Sequence, residues 1–367
     1  MKKILVTILV IAVIAAGLVF TSHRMGFNPA ENISNKDEAL TSIEEVAAYI
    51  MSQSDTGEVE VYVSGISDEE LMYINYYLDT TMVSSKSVTS YTEVSGVTKL
   101  VFEIEKSDSG YVYDYLVNGK SIPTDRSTST ELLRIVQSVL SGYITDDMSD
   151  YEKELAIHDY IIDHCSYGHA SDGSEYTAYG ALVNGQAVCS GYAAAMELLM
   201  SCCGVENTFV IGNATSQSTN ESENHAWNQV YIDGEWYNVD ATWDDPVGGY
   251  EVVSHRYFNI SDELLEETHT WEQSDYHECD SMTANYYMRN GAYFSDNQAL
   301  ENYITCGVQQ SVAAGESTVD IECAVTDSVS IDSDSLQFVF ELTGVERVSY
   351  NLGEGTDYKI LYIRING

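Results

Sequence analysis

A chain of 367 residues with 44% hydrophobic content is long enough for two or three packed domains. Its 58 acidic and 16 basic residues give a formal net charge of −42, which excludes attraction to nucleic acid or to an anionic membrane surface. The sequence contains no CxxC or HxxxH pair and therefore predicts neither a bound metal ion nor another cofactor.

The first 24 residues predict an export signal. Met1-Lys2-Lys3 is basic, and the run from Ile4 to Phe20 is almost wholly apolar. At ~1.5 Å per residue this run would extend about 25 Å, which is short but sufficient for a membrane helix. The segment is therefore compatible with a cleaved signal peptide and with an uncleaved membrane anchor. Either one predicts a secreted or surface-held protein, with membrane contact only through this segment.

Composition and periodicity divide the rest of the chain into a linker and three units. Residues 25–38 form a polar linker. Residues 39–127 and 291–367 are predicted to be small α/β modules that flank a catalytic domain at 128–290. Both modules place a helix before a pair of strands, which favours duplication of a small βαββ unit. Their predicted elements are helices at 43–52, 68–78 and 333–342, and strands at 58–63, 90–94, 99–105, 318–325, 347–352 and 359–365.

Helices open the central unit. Apolar spacing predicts a helix at 130–140, and Ser149 with Glu152 forms a capping box for a second helix that ends near His164. A third helix, at 190–202, is rich in alanine, leucine and methionine. Cys189 would stand at its N-terminus, where the helix dipole and a nearby imidazolium both favour the reactive thiolate.

A β-hairpin follows the helices. Asp233-Gly234 separates two strands, at 225–232 and 235–242, and predicts a two-residue turn. Side-chain alternation then puts His225 and Asp240 on one face as diagonal neighbours, roughly 7–8 Å apart. That face is predicted to be a polar functional surface, and the opposite face to be core.

Cys189, His225 and Asp240 are the predicted catalytic residues. A carboxylate can hold one imidazole nitrogen and leave the other facing a thiol, as a Cys–His–Asp relay requires. The backbone N–H of Cys189 is a natural oxyanion donor, and Gln186 is a second candidate on chemistry alone. Each residue also has a structural alternative: a buried cysteine is usually inert, a histidine beside tryptophan is usually structural, and Asp240 could cap the following turn.

Three blocks of this sequence resemble the bacterial transglutaminase-like superfamily. They are Ala187 to Ala193, His225 to Asn228, and Trp236 to Pro246. The resemblance covers 130–290 and implies an α+β, papain-like fold in which a cysteine-bearing helix packs on an antiparallel sheet that carries the histidine and the aspartate. Members of the family include protein cross-linking acyltransferases, peptidases and proteins with no demonstrated activity.

The sequence thus predicts an exported thiol enzyme that attacks protein or peptide amide bonds, including those of cell-wall or surface proteins, through a thioester. Hydrolysis, as in a peptidase or amidase, is slightly favoured over transfer to an amine, as in a protein-glutamine acyltransferase. The reason is that an exposed cleft favours an amine only if water is excluded. The alternative is a non-catalytic cell-surface binding or assembly module that keeps the same fold.

Seven cysteines in an exported chain could form disulfides. However, Cys202 and Cys203 are adjacent in one predicted helix, and the other cysteines lack the spacing of a disulfide framework. Mostly free or buried thiols are predicted, with one bridge left open.

Overall fold

The predicted leader, the linker and the helix at 68–78 lie almost wholly outside the residues that the structure describes. Only Leu5–Val6 of the leader and part of the 43–52 helix are included. Among the described residues, no helix combines the length and the apolar character that a membrane crossing requires. The computed structural model describes residues 5–6, 39–42, 45–46, 49–50, 57–67, 83–92, 97–170, 173–215, 221–245, 253–332, 334–342, 346–353 and 358–366.

The N-terminal module is an antiparallel sheet in the order β1-β3-β4-β2. Its strands are β1 (Leu5–Val6), β2 (Gly57–Ser64), β3 (Val83–Thr92) and β4 (Val97–Lys106), and α1 (Asp108–Leu116) follows. Alternate residues of β2 and β4 are buried, as a sheet with one covered face requires. These buried residues are Val59, Val61, Val63, Leu100, Phe102 and Ile104.

The central unit begins with helices, as predicted. They are α2 (Ser127–Tyr143), α3 (Asp150–His164) and α4 (Cys189–Cys202), and the short parallel strands β5 (Ser166–Tyr167) and β6 (Gln186–Ala187) lie between α3 and α4. Every residue of α4 from Cys189 to Met200 is buried. A helix that is buried on all sides belongs to the core.

The predicted capping box is confirmed. The Ser149 hydroxyl accepts the Glu152 N–H at 3.3 Å, and the Glu152 carboxylate accepts the Ser149 N–H at 2.8 Å. Together these contacts satisfy two backbone donors at the start of α3.

An antiparallel sheet carries the second half of the predicted site, in the order β10-β7-β8-β9. Its strands are β7 (Asn207–Thr215), β8 (Ser222–Ile232), β9 (Glu235–Val239) and β10 (His269–Thr270). Helix α4 packs on β7 and β8. Asn228 of β8 reinforces this packing by donating from Nδ2 to the Ala193 carbonyl of α4 at 3.1 Å. The predicted α+β class, with a cysteine-bearing helix on an antiparallel sheet, is confirmed.

The predicted two-residue turn is also present. Ile232 pairs with Glu235, while Asp233 and Gly234 have φ values of 53° and 99°, as a type I′ turn requires. The second strand, however, was predicted to reach residue 242 and ends at Val239. Asp240 leaves the sheet because its side chain accepts the N–H groups at the start of a short helix, α5 (Ala241–Asp244).

The prediction that one face of the hairpin forms a polar surface was wrong. Trp227, Gln229 and Asn238 are at most 1% exposed. Residues that follow α5 cover this face: the Trp227 ring contacts Trp271 with centroids 5.5 Å apart, and Gln229 donates to the His277 carbonyl at 2.9 Å. Two short helices, α6 (Asp262–Leu265) and α7 (Tyr286–Arg289), belong to this stretch.

The C-terminal module contains β11 (Tyr293–Phe294), α8 (Asn297–Ala314), β12 (Thr318–Val325), β13 (Arg347–Leu352) and β14 (Lys359–Asn366). They form a sheet in the order β11-β12-β14-β13. The helix predicted at 333–342 is instead a 3₁₀ turn at Gln337–Glu341. The antiparallel order β12-β14-β13 matches the order β2-β4-β3 of the first module. Both strand orders are compatible with duplication of one unit, which stays a prediction.

Candidate active site

The structure places His225 and Asp240 in direct contact. His225 Nε2 lies 2.7 Å from Asp240 Oδ2, and the two side chains are 7% and 1% exposed. The second carboxylate oxygen, Oδ1, accepts the N–H groups of Thr242 and Trp243 at 3.0 and 3.2 Å. Asp240 therefore caps α5 and holds the imidazole at the same time, so the geometry is compatible with the structural and with the predicted catalytic interpretation of this residue.

Cys189 completes the arrangement from the opposite layer. It is the first residue of α4, is 8% exposed, and is one of the groups that raise the pKa of His225. Because Nε2 of the ring faces Asp240, Nδ1 is the nitrogen that is left for the thiol. The fold thus brings all three sequence-predicted residues together in the order sulfur, ring and carboxylate.

Two opposing effects set the charge of His225. Burial disfavours the charged ring, but the negative charge of Asp240 and its hydrogen bond, together with the nearby Cys189, outweigh burial and raise the pKa of His225 to about 10. For Asp240, burial alone would raise the pKa, and the contacts with His225 and His269 instead hold it well below its usual range. This charge distribution favours an imidazolium beside a carboxylate.

Close backbone packing fixes the start of α4. The Val188 N–H donates to the Glu175 carbonyl at 3.0 Å. A Cβ at Gly191 would lie 2.4 Å from that carbonyl oxygen and 2.7 Å from the Ala187 Cβ, so only glycine fits there without rearrangement. Gln186, the weaker oxyanion candidate, is exposed, and its side chain lies against Gly168.

His269 was missed by sequence reasoning. It is fully buried, its Nε2 lies 3.1 Å from Asp240 Oδ2, and its Nδ1 lies 2.8 Å from the Thr268 hydroxyl. Burial lowers the pKa of His269, so the ring is neutral and donates its Nε2–H to the carboxylate that also holds His225. No spacing or periodicity marks this residue, because it follows Asp240 by 29 positions and lies on a two-residue strand.

A second cluster, buried except for Asp159, contains two more histidines. His158 of α3 contacts Asp244 at 3.3 Å and Asp159 at 3.0 Å, and Asp159 also contacts His255 at 2.9 Å. These bonds tie α3 to the segment that follows the β8–β9 hairpin. They make His158 a hydrogen-bonded core residue.

Both clusters contain metal-ligand chemistry among the described residues. In His225, Asp240 and His269, and likewise in His158, Asp159 and His255, the ligand-type atoms lie within 4.8 Å of one another. In each group these atoms already hydrogen-bond to one another. The hydrogen bonds account for both arrangements, and the predicted lack of a cofactor stays a prediction.

All seven cysteines are free thiols. Cys306 is exposed, whereas Cys189 is buried. Burial raises the pKa of five others, which keeps them protonated and unreactive near neutral pH. These are Cys165 and Cys202, at about 11 and about 12, Cys323, at about 12, and Cys203 and Cys279.

Comparison with known proteins locates this site inside a recognised sequence family. The model of a family described as the transglutaminase-like superfamily matches residues 137–241, a range that includes Cys189, His225 and Asp240. Kyphoscoliosis peptidase of Mus musculus is 30% identical over 118 residues, which cover 29% of this chain and 18% of that protein. The Homo sapiens protein of the same name is 27% identical over 144 residues, which cover 36% and 22%. The matched part of the chain thus corresponds to about a fifth of these relatives.

Solved structures are more distant. A TGase crystal structure is 14% identical, with a TM-score of 0.26 and coverage of 53% of each chain. Legionella pneumophila LapG, in its EGTA-treated form, is 11% identical, with a TM-score of 0.25 and coverage of 43% of this chain and 76% of that one.

Proposed function

We propose that this protein is a thiol enzyme of the transglutaminase-like superfamily, whose model matches residues 137–241, and that it acts on amide bonds of proteins or peptides. Cys189 is the nucleophile, His225 the general base and acid, and Asp240 the residue that orients the ring. The observation that carries the proposal is the placement of the three side chains. His225 Nε2 lies 2.7 Å from Asp240, and Cys189 begins the buried helix that packs on β8, the strand of His225.

The first half-reaction forms a thioester. Cys189 Sγ, whose proton has passed to His225, attacks the carbonyl carbon of the amide. The backbone N–H of Cys189 donates to the developing oxyanion, because N–H groups in the first helical turn have no acceptor within the helix. The C–N bond then breaks, and His225 returns its proton to the leaving amine.

The second half-reaction releases the acyl group. Neutral His225 takes a proton from water, the oxygen attacks the thioester, and the Cys189 thiolate leaves as the carboxylic acid forms. Asp240 stabilises the imidazolium during both proton transfers. An amine that attacks in place of water would give a new amide and a cross-linked or modified protein.

Water is favoured as the second nucleophile. Tyr167, which aligns with Ala187 two residues before Cys189, is 48% exposed, so solvent reaches the side chains around the proposed nucleophile. Transfer to an amine needs water to be excluded. The two mammalian relatives are named peptidases, which supports a protein or peptide substrate. The predicted leader at 1–24 supports action on surface or cell-wall proteins outside the cytoplasm.

Incubation with casein and a fluorescent primary amine tests the function. Hydrolysis predicts peptide fragments or released ammonia, which Cys189→Ser abolishes and the matched Cys306→Ser leaves unchanged. Amine incorporation would make the protein an acyltransferase. Neither product, together with a Cys189 no more reactive than the other thiols, would favour the non-catalytic binding module instead.

A further inference from the structure

Tyr167 stands beside the proposed nucleophile. Strand β5 pairs with β6 so that Tyr167 aligns with Ala187, two residues before Cys189, and the Gly168 N–H donates to the Ala187 carbonyl at 2.9 Å. The Tyr167 ring lies near Tyr192, with centroids 6.5 Å apart, yet it is 48% exposed. One aromatic surface therefore faces solvent at the edge of the cleft.

Glu223 approaches the same cleft from the sheet. It lies on β8 two residues before His225, so strand alternation directs both side chains to the same face. Its cross-strand neighbour on β7 is Ala214, and the Glu223 side chain is exposed. A carboxylate thus stands in water next to the general base.

The two residues approach the proposed site from different elements, Tyr167 from the strand paired with β6 just before Cys189, and Glu223 from the strand of His225. Burial raises the pKa of Tyr167 to about 12, and negative charge on Cys189 and Glu223 adds to the effect, followed by Tyr176 and Asp240. Burial raises the pKa of Tyr176 as well, and the charges of Glu175 and Cys189 add to the effect. The negative charges that oppose ionisation of the Tyr167 phenol are charges that would attract a cation.

We propose that Tyr167 and Glu223 form a subsite for a cationic side chain, lysine or arginine, next to the amide bond that Cys189 attacks. The face of an aromatic ring attracts a cation, and a carboxylate beside it supplies the opposite charge. The net charge of −42 steers cationic substrates towards the protein as a whole. The proposal rests on the proposed function, because it names the substrate class of the same cleft.

The test uses two small thiol reagents that differ in charge. They are the 2-(trimethylammonio)ethyl and the 2-sulfonatoethyl methanethiosulfonates, a cation and an anion of similar size. Each forms a mixed disulfide with a thiolate and releases methanesulfinate. The full-length protein is labelled and then digested, and mass spectrometry gives the labelling rates at Cys189 and at the exposed Cys306. Cys306 is the internal reference, because the overall charge of the protein affects both thiols. The cation-to-anion rate ratio at Cys189 is expected to exceed that at Cys306 by about tenfold.

Variants assign this preference to the subsite. Glu223→Gln is expected to lower the ratio at Cys189 by about three- to tenfold, because a nearby unit charge changes the local concentrations of the two reagents in opposite directions. Glu206→Gln is the matched control. Glu206 is exposed, and its carbonyl accepts the N–H of Tyr231, which follows His225 by six residues on β8. At ~3.4 Å per residue, Glu206 is therefore about 20 Å from His225. That distance exceeds the screening length of roughly 8–10 Å, so the ratio at Cys189 should not change.

The outcomes distinguish a failure of the proposed subsite from a failure of the proposed enzymatic function. Equal ratios at Cys189 and Cys306, or equal effects of Glu223→Gln and Glu206→Gln, would overturn the subsite. Slow labelling of Cys189 by both reagents would contradict the nucleophile, while the ratio would still report on the subsite. Tyr167→Leu should lower the ratio as well, since it removes the aromatic face but no charge.

Discussion

Replacing Asp240 by asparagine would remove the charge that holds His225 while keeping the size of the side chain. The asparagine oxygen can still accept the N–H groups of Thr242 and Trp243, as Oδ1 does at 3.0 and 3.2 Å. Its amide nitrogen would then face His225 Nε2, which lies 2.7 Å from Oδ2 in the present structure. Two donors cannot bond, so the ring must adopt the other tautomer. The nitrogen that faces Cys189 then carries a hydrogen and cannot accept the thiol proton.

The size of the effect follows from the electrostatics of the pair. The pKa of His225 is raised from 6.5 to about 10, which at about 1.4 kcal/mol per pH unit is roughly 5 kcal/mol of preference for the charged ring. A hydrogen bond to a charged group contributes about 1.5–3 kcal/mol, so Asp240→Asn should remove at least this much of the stabilisation of the charged His225 ring. The population of imidazolium with a Cys189 thiolate should therefore fall by about 10- to 150-fold.

Alkylation of Cys189 by iodoacetamide at pH 6, followed by mass spectrometry, measures this population. Asp240→Asn should slow the reaction at least tenfold and leave Cys306 unchanged. Asp245→Asn is the matched control, because Asp245 lies five residues further on and accepts the Tyr192 hydroxyl at 2.5 Å. Alkylation of a folded Asp240→Asn variant at the wild-type rate would refute the reasoning and leave Asp240 as a helix cap alone.

Three further predictions concern stability, measured by urea unfolding. Gly191→Ala should lower the free energy of unfolding by about 1–3 kcal/mol through overpacking, whereas Gly142→Ala, in an open helical position, should raise it by about 0.5–1 kcal/mol; a gain at both sites would contradict the close packing. Because the pKa of His225 is raised in the folded state, its stabilising effect is complete below pH 6.5 and is lost as the pH rises through about 10. The stability difference between wild type and His225→Gln should therefore shrink between pH 6 and pH 10, and a constant difference would argue against the charged ring. His269→Phe deletes the donor that lies 3.1 Å from Asp240 and should destabilise by about 1–3 kcal/mol, while His269→Gln, which can still donate, should lose less; equal losses would rule out this hydrogen bond.

Local signals in the sequence were sufficient for much of the site. Asp233-Gly234 specified the turn, because both residues tolerate the positive φ that a type I′ turn needs. The capping box at Ser149 fixed the start of α3, and the small and apolar residues after Cys189 fixed α4. These features depend on neighbours in the chain, which a single sequence displays.

Features that depend on distant segments were not predictable. The polar face of the hairpin is buried because Trp271 and His277 return to cover it, and no local pattern marks that return. His269 reaches Asp240 in the same way. The strand that was predicted to continue past Val239 ends there because the Asp240 side chain binds the next backbone N–H groups instead. The domain boundaries and the export signal stay predictions.

Competition among the seven thiols in one sample tests the central claim most directly. The wild-type protein is treated with a limiting amount of iodoacetamide at pH 6, and each cysteine is quantified by mass spectrometry. Cys189 is predicted to react first although it is only 8% exposed, and its advantage should disappear in His225→Ala. If the exposed Cys306 reacts first and Cys189 stays as inert as Cys165, the sulfur is not activated and the proposed enzyme is contradicted.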